Sequence, residues 1–226
     1  MINFLACKIL ANIFIKLPHN LMLDILKRLE VGVYLFCRRQ SVLYPQIRDL
    51  LDKQAVSEYR HAQAFASLGN SKMHLPPQHL MNKPESLNWN RLTWSERDWG
   101  EPLDGISTRF FSSKLFFNGV TASSYDLLNK LAFMHILEEL QTIFYGELIK
   151  VCSSDVRDVL NCILIEEKEH SENLLVILQA INPEWEGLIY LWRSRLRIAL
   201  LLLPVDLFLY FITHILRVAL WVCLGS

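Results

Sequence analysis

The sequence has little charge, and the charge that it has is balanced. Charged residues make up 20% of its 226 residues, with 23 basic and 23 acidic side chains. A typical soluble domain carries about 25% charged residues. Because there is no basic excess to neutralise a phosphate backbone, we expect no nucleic-acid partner. The apolar share is 52%, and its concentration near the C-terminus favours a membrane or a large apolar interface.

The sequence also lacks paired cysteines and recognisable cofactor motifs. Its five cysteines are scattered and never spaced as CxxC. This pattern argues against a disulfide framework or a thiolate zinc site and favours a reducing compartment. No flavin, haem or nicotinamide signature is present, so any redox reaction would need an external electron donor.

No alternating apolar pattern of convincing length is present, which predicts an all-α protein. Four helical patterns cover residues 21–44, 46–68, 123–151 and 153–180, with Ser123 or Ser124 as the expected N-cap of the third. The first two patterns are separated by a tight connection, as are the last two, so each pair is predicted to be antiparallel.

The middle and the two ends of the chain have a different character. Residues 70–122 contain four prolines and the tryptophans Trp89, Trp94 and Trp99, and they predict a long connection pinned along a bundle. Residues 1–19 predict an amphipathic helix, stopped by Pro18, that caps the bundle or lies on a membrane. The predicted organisation is 1–19 as this helix, 20–182 as the bundle, and 183–226 as an apolar helical extension.

Two ExxH motifs, Glu58–His61 and Glu167–His170, lie in the middle of helical patterns. Residues three apart share one face of a helix, so each motif directs a carboxylate and an imidazole at one point. Glu30 precedes Glu58 by 28 residues, and Glu139 precedes Glu167 by the same number. The spacing predicts that four helices bring together six metal ligands: Glu30, Glu58, His61, Glu139, Glu167 and His170.

Several neighbouring residues are weaker candidates. Glu138 competes with Glu139, and we favour Glu139 because it reproduces the 28-residue spacing. Glu166 and Glu169 are solvated or additional ligands. Tyr34, one turn after Glu30, is expected to hydrogen-bond a ligand, donate an electron or pack, and His135, one turn before Glu139, to support a ligand or lie in the core.

Four carboxylates and two imidazoles suit hard cations that tolerate nitrogen, so we expect two iron ions, with manganese as the alternative. The E…ExxH…E…ExxH pattern over residues 20–180 resembles the ferritin-like superfamily of di-iron carboxylate proteins. In character the chain is most similar to the membrane-associated demethoxyubiquinone hydroxylases, although the long tryptophan-containing connection departs from them. No rubredoxin-like cysteine module follows, which disfavours a standard rubrerythrin.

The resemblance implies a ferritin-like four-helix bundle whose metal ions activate O₂ to hydroxylate or oxidise an apolar, quinone-like or acyl substrate. No catalytic residue is expected beyond the metal ligands. One alternative is iron storage, ferroxidase activity or peroxide scavenging, for which a homo-oligomer is expected. A second alternative is a membrane interaction protein with a vestigial site.

The C-terminal run 198–216 is just long enough to cross a bilayer, but two residues oppose a simple span. Pro204 is expected to break the helix, and Asp206 would cost about 3 kcal/mol in lipid. We therefore expect a kinked, monotopic or hairpin-like insertion with Arg193, Arg195 and Arg197 at the headgroups, on the cytoplasmic side of a membrane. The alternative is a soluble cytoplasmic protein that buries this run in an oligomer.

Overall fold

The computed structural model describes residues 2–69 and 110–224, which are helical and contain no strand. The all-α class is therefore confirmed for these residues. The predicted connection 70–122 lies mostly outside the described residues, as do its three tryptophans. The described helices are α1 (Ile2–Phe14), α2 (His19–Leu43), α3 (Arg48–Leu68), α4 (Phe111–Phe116), α5 (Leu127–Leu148), α6 (Ser154–Ile181) and α7 (Trp185–Leu224).

Four long helices form two hairpins that pack against each other. Residues 44–47, which include a 3₁₀ turn, join α2 to α3, and residues 149–153 join α5 to α6. Connections this short make consecutive helices antiparallel neighbours. Contacts between α3 and α6 then join the two hairpins into one bundle-like unit.

The start of α5 differs from the prediction. Ser123 and Ser124 belong to a separate 3₁₀ turn, Ala122–Ser124, and α5 begins only at Leu127. Asp126 is its N-cap, because its carboxylate accepts a hydrogen bond of 2.8 Å from the backbone N–H of Asn129. The serines resembled caps because serine and aspartate satisfy free helix N–H groups equally well.

The bundle interior consists of two apolar clusters stacked along its length. One contains Phe36 of α2 and Phe133 of α5, and the other contains Leu26 of α2 and Tyr145 of α5. On α2, α5 and α6, the buried residues of one cluster lie before the helix midpoint and those of the other lie at or after it, whereas on α3 one cluster extends past the midpoint to Ala62. A narrow polar layer therefore separates the clusters at mid-height.

The apolar extension is one helix, and it does not break at Pro204. A proline inside a helix removes one backbone hydrogen bond and strains the preceding turn. The helix is anchored to the bundle before Pro204, because the fully buried Trp192 contacts the rings of Phe116, Phe133 and Tyr125 and donates a hydrogen bond to Asn129. The expected break at Pro204 is therefore wrong.

Asp206 also has a different role from the one expected. Its side chain is buried and accepts hydrogen bonds from the backbone N–H groups of Phe111 (2.9 Å) and Ser112 (2.8 Å), at the start of α4. Burial alone would raise its carboxyl pKa, but these hydrogen bonds lower the pKa of Asp206 below its usual value. The carboxylate thus holds α4 against α7.

Two of the three arginines assigned to lipid headgroups bind the protein instead. Arg193 forms an ion pair with Glu139 at 2.6 Å, and Arg195 lies over the ring of Trp192. Of these three residues, Arg197 is exposed, whereas Arg193 and Arg195 are partly buried. Within residues 2–69 and 110–224, no helix combines the length and apolar character needed to cross a bilayer.

Candidate metal centre

The polar layer between the two apolar clusters is made of acidic and imidazole side chains. Each comes from the middle of a long helix and from the face that points into the bundle. None is more than 6% exposed. The layer consists of Glu30 from α2, Glu58 and His61 from α3, Glu138 from α5, and Glu167 and His170 from α6.

These side chains form two overlapping groups of potential ligands. The His61 group contains Glu30, Glu58, His61 and Glu167, and the His170 group contains Glu58, Glu138, Glu167 and His170. In each group, one ligand atom from every residue lies within 4.8 Å of the others. Because Glu58 and Glu167 belong to both groups, two cations bound there would share two carboxylates.

The buried atoms in this layer are mostly without hydrogen-bond partners. His61 Nδ1 lies 3.0 Å from Glu167 Oε1, yet the geometry at the ring nitrogen is not that of a hydrogen bond. An unpaired buried polar atom costs about 1–3 kcal/mol, so a native layer of them needs an explanation. Seven atoms of the six layer side chains have no hydrogen-bond partner among the described residues: Glu30 Oε2, Glu58 Oε2, His61 Nδ1, Glu138 Oε2, Glu167 Oε1, Glu167 Oε2 and His170 Nδ1.

The predicted ligand Glu139 lies outside this layer, and Glu138 occupies the position assigned to it. Glu139 is 37% exposed and pairs with Arg193 on the side of α5 that faces α7. The 28-residue spacing predicted the wrong glutamate because the two connections, between α2 and α3 and between α5 and α6, differ in length. Four residues join α2 to α3, whereas five join α5 to α6, so the matching pair Glu138–Glu167 is 29 residues apart.

Burial and mutual repulsion make the metal-free layer retain protons. Burial raises the pKa of Glu30 and of Glu138 well above the usual carboxyl value, and the charge on Glu167 raises both further. Glu167 itself is buried, which would raise its pKa, but the nearby His170 and His61 lower that pKa to about 2. Burial therefore favours the protonated forms of Glu30 and Glu138 when no cation is bound.

The same carboxylates change the pKa values of the two imidazoles. Burial alone would lower their pKa values, but the surrounding carboxylates outweigh it. Glu167, Glu30 and Glu58 raise the pKa of His61 to about 12. Glu167 and Glu58 raise the pKa of His170 to about 9. Protons thus occupy positions that cations would take.

Polar side chains around the layer hold the ligands in place. Tyr145 donates a hydrogen bond to Glu30 Oε1, and Gln141 donates a second one at 3.2 Å. Gln54 donates to Glu138 at 2.9 Å and to Glu58 at 3.4 Å. The sequence analysis missed all three, although Gln54 lies one turn before Glu58, and Gln141 and Tyr145 lie one and two turns after Glu138.

Glu166 supports His61 from outside the layer. Its Oε2 lies 3.2 Å from His61 Nε2, while Nδ1 of the same ring faces the layer. Arg60 donates to this carboxylate at 2.9 Å, and Ser57 donates to it as well. Burial would raise the pKa of Glu166, but Ser57, His61 and Arg60 lower it. A carboxylate on the outer nitrogen fixes the ring orientation of a metal-binding histidine.

The remaining candidates lie outside the layer. Tyr34 is buried and its ring packs 5.5 Å from that of Tyr59. His135 is buried beside Ser171, with its Nδ1 2.9 Å from the backbone oxygen, and burial lowers its pKa. Glu169 is an exposed residue 3.7 Å from Lys53.

The donor set fits a pair of hard cations. Each group offers three carboxylates and one imidazole, the mixture that iron and manganese accept. The shared carboxylates would keep two such ions close together, and the positive charge of the ions would offset the repulsion among four buried acids.

A comparison of the chain with protein-family models, curated proteins and solved structures gives no match.

Proposed function

We propose that the chain is a ferritin-like bundle with a dinuclear metal centre, in which iron is the favoured metal. We propose further that it is a membrane-associated oxidoreductase that uses O₂ to hydroxylate or oxidise an apolar, quinone-like or acyl substrate. The external electron donor predicted from the sequence belongs to the same proposal.

One observation carries this proposal: the six side chains from four helices converge in a buried layer, and seven of their polar atoms have no partner among the described residues. A polar network without a metal would be expected to pair its own donors and acceptors. Here the ring nitrogens and carboxylate oxygens face a common centre instead. One glutamate from each of two helices and a Glu-x-x-His from each of the other two is the ligand set of dinuclear carboxylate bundles.

The protein's own residues would bind and orient the two ions. Glu30 and His61 would hold one, Glu138 and His170 the other, and Glu58 and Glu167 would hold both. Tyr145 and Gln54 would keep Glu30 and Glu138 directed inwards. When bound, a pair of iron ions supplies the redox chemistry with O₂ that no side chain of the chain offers.

The surroundings favour an apolar substrate. Apolar clusters border the layer on both sides along the bundle, so water is excluded from its two ends. A dry site strengthens electrostatic interactions with the ions and protects reactive species from side reactions. Glu166 and Arg60 would keep the His61 ring fixed during any change in the charge of the ions.

Metal analysis of matched variants tests the proposal. The purified chain, reconstituted with Fe²⁺ without oxygen, is expected to bind two ions, measured by inductively coupled plasma mass spectrometry. Glu138→Gln should reduce the bound iron to about one ion per chain, because it removes a ligand that only the His170 group contains. Glu139→Gln, one residue away, should leave two ions bound because Glu139 pairs with Arg193.

Three outcomes would contradict the proposal. Equal loss of iron in Glu138→Gln and Glu139→Gln would mean that the side chains in the buried layer are not the metal ligands. No iron, or zinc alone, would indicate a vestigial site. Two irons with peroxide consumption, but without an oxidised product from a co-purified lipid extract, would indicate an iron-handling protein rather than an oxidoreductase acting on an organic substrate.

A further inference from the structure

Helix α1 packs on the bundle with one side and leaves three large apolar residues on the other. Cys7 and Ala11 are fully buried, and the Cys7 thiol points at the backbone oxygen of Leu140 in α5. Leu5, Ile9 and Ile13 lie on the opposite side and are 40–58% exposed. The outer side of an ordinary surface helix is polar, so these three side chains form an unusual outer stripe.

Helix α7 has a similar outer stripe. Five large apolar residues recur on one side of it at helical spacing, and they are 39–63% exposed. The opposite side of α7 is the one that carries Trp192 and Asp206 into the protein. The stripe consists of Ile198, Leu201, Val205, Phe208 and Leu209.

The two stripes belong to one part of the molecule, because α1 and α7 both pack against α5 and contact each other. Together they form what we term the apolar face: Leu5, Ile9, Ile13, Ile198, Leu201, Val205, Phe208 and Leu209. A monomeric soluble protein seldom exposes so many large apolar side chains together unless they bind something.

The exposed charges that α1 and α7 place beside the apolar face are basic. Helix α1 contains no acidic residue, and Lys8 lies exposed beside its outer stripe. In α7, Arg197 is exposed beside Ile198, and the sole acidic residue between 187 and 224 is Asp206, which is buried against α4. Two copies facing each other would bring only cations together, which opposes self-association. An anionic bilayer complements both the apolar residues and the cations.

We infer that the apolar face docks the protein onto an anionic lipid bilayer, with α1 and the 197–209 part of α7 lying in the interface. This inference deepens the proposed function, since it names the surface by which the proposed oxidoreductase is membrane-associated. It requires no span, in keeping with the helices described above. The apolar side chains would enter the acyl boundary while Lys8 and Arg197 contact the headgroups.

Vesicle flotation of the purified full chain tests the inference. We expect binding to vesicles of phosphatidylcholine with 30% phosphatidylglycerol, and weaker binding to pure phosphatidylcholine. Replacing Leu5, Ile9, Leu201 and Phe208 by glutamine should weaken binding at least tenfold, because four apolar side chains no longer enter the bilayer. Lys8→Glu with Arg197→Glu should weaken binding to the anionic vesicles about fivefold for each cation removed.

Val176→Gln is the matched control, since Val176 is equally exposed (61%) but lies on α6, outside the apolar face. It should bind vesicles as the original chain does, and circular dichroism should show equal helix content in all variants. Binding that is unchanged in the glutamine variant, or equal on neutral vesicles, would overturn the inference. So would a dimer, detected by sedimentation, that disappears in the same variant without any vesicle binding. Because flotation needs neither metal nor turnover, it fails or succeeds independently of the proposed chemistry.

Discussion

The two groups of the metal centre have matching ligands and different neighbours. Each takes one glutamate from the first helix of a hairpin and the ExxH histidine from the second. Tyr145 and Gln141 hydrogen-bond Glu30 in the His61 group, whereas Gln54 hydrogen-bonds Glu138 in the His170 group. The ligands repeat along the chain, but the side chains that orient them do not.

The outer nitrogen of His61 shows the same asymmetry. Glu166, the residue before Glu167, accepts there, while the residue before Glu58 is Ser57. The phenol of Tyr145 lies seven residues after Glu138. The equivalent position after Glu30 has the buried thiol of Cys37. We therefore expect two ions that are bound together but held with different affinities and rigidity.

The largest effect on metal binding should come from a change in a residue that the two groups share. Glu167→Gln is expected to abolish binding of both ions, because Glu167 belongs to both groups. Glu30→Gln should remove only the ion of the His61 group. Iron content per chain after anaerobic reconstitution distinguishes the two variants, and retention of both ions by Glu167→Gln would show that this carboxylate is not shared.

A smaller effect on metal binding is expected from a change in Glu166, which supports His61. Glu166→Gln should weaken the binding of one of the two ions about 10–100-fold, since it removes the carboxylate that orients the His61 ring. Glu169→Gln is the control, because that side chain is 61% exposed and lies near Lys53. Calorimetric titration with Mn²⁺ should resolve two binding steps, of which only one changes in Glu166→Gln. Equal weakening of both steps would remove the proposed asymmetry.

A third effect on metal binding is the response to pH. With pKa values raised to about 12 and about 9, His61 and His170 hold protons at neutral pH in the metal-free chain, and the raised pKa values of Glu30 and Glu138 favour their protonated forms. A bound cation must displace such protons, so binding should release them and become tighter as pH rises. We expect affinity for Mn²⁺ to rise about tenfold per released proton between pH 6.5 and 7.5. Affinity that does not depend on pH would contradict the protonation pattern.

Helical periodicity was sufficient to predict the four long helices of the bundle. The expected 21–44 and 46–68 compare with the observed His19–Leu43 and Arg48–Leu68. The ExxH motifs also pointed at the residues that converge, because residues three apart always share a helix face. Both kinds of prediction depend on spacing within a single helix.

Apart from the N-cap of α5, the predictions that failed depend on contacts between elements. The choice of Glu139 over Glu138 assumed equal connections, and one additional residue between α5 and α6 changed which side chain faces inwards. Arg193 was assigned to lipid headgroups, but Glu139 binds it. Pro204 was expected to end a helix that packing around Trp192 and the contacts of Asp206 keep continuous.

The sequence by itself determined the all-α class, the four long helices and five of the six converging side chains, because these follow from local periodicity. Only the tertiary structure decided that Glu138 completes the layer, that Tyr145 and Glu166 support it, and that α1 and α7 expose their large apolar residues on one face. Those outcomes depend on the angle and offset at which helices pack, and a connection of one more residue is sufficient to change them.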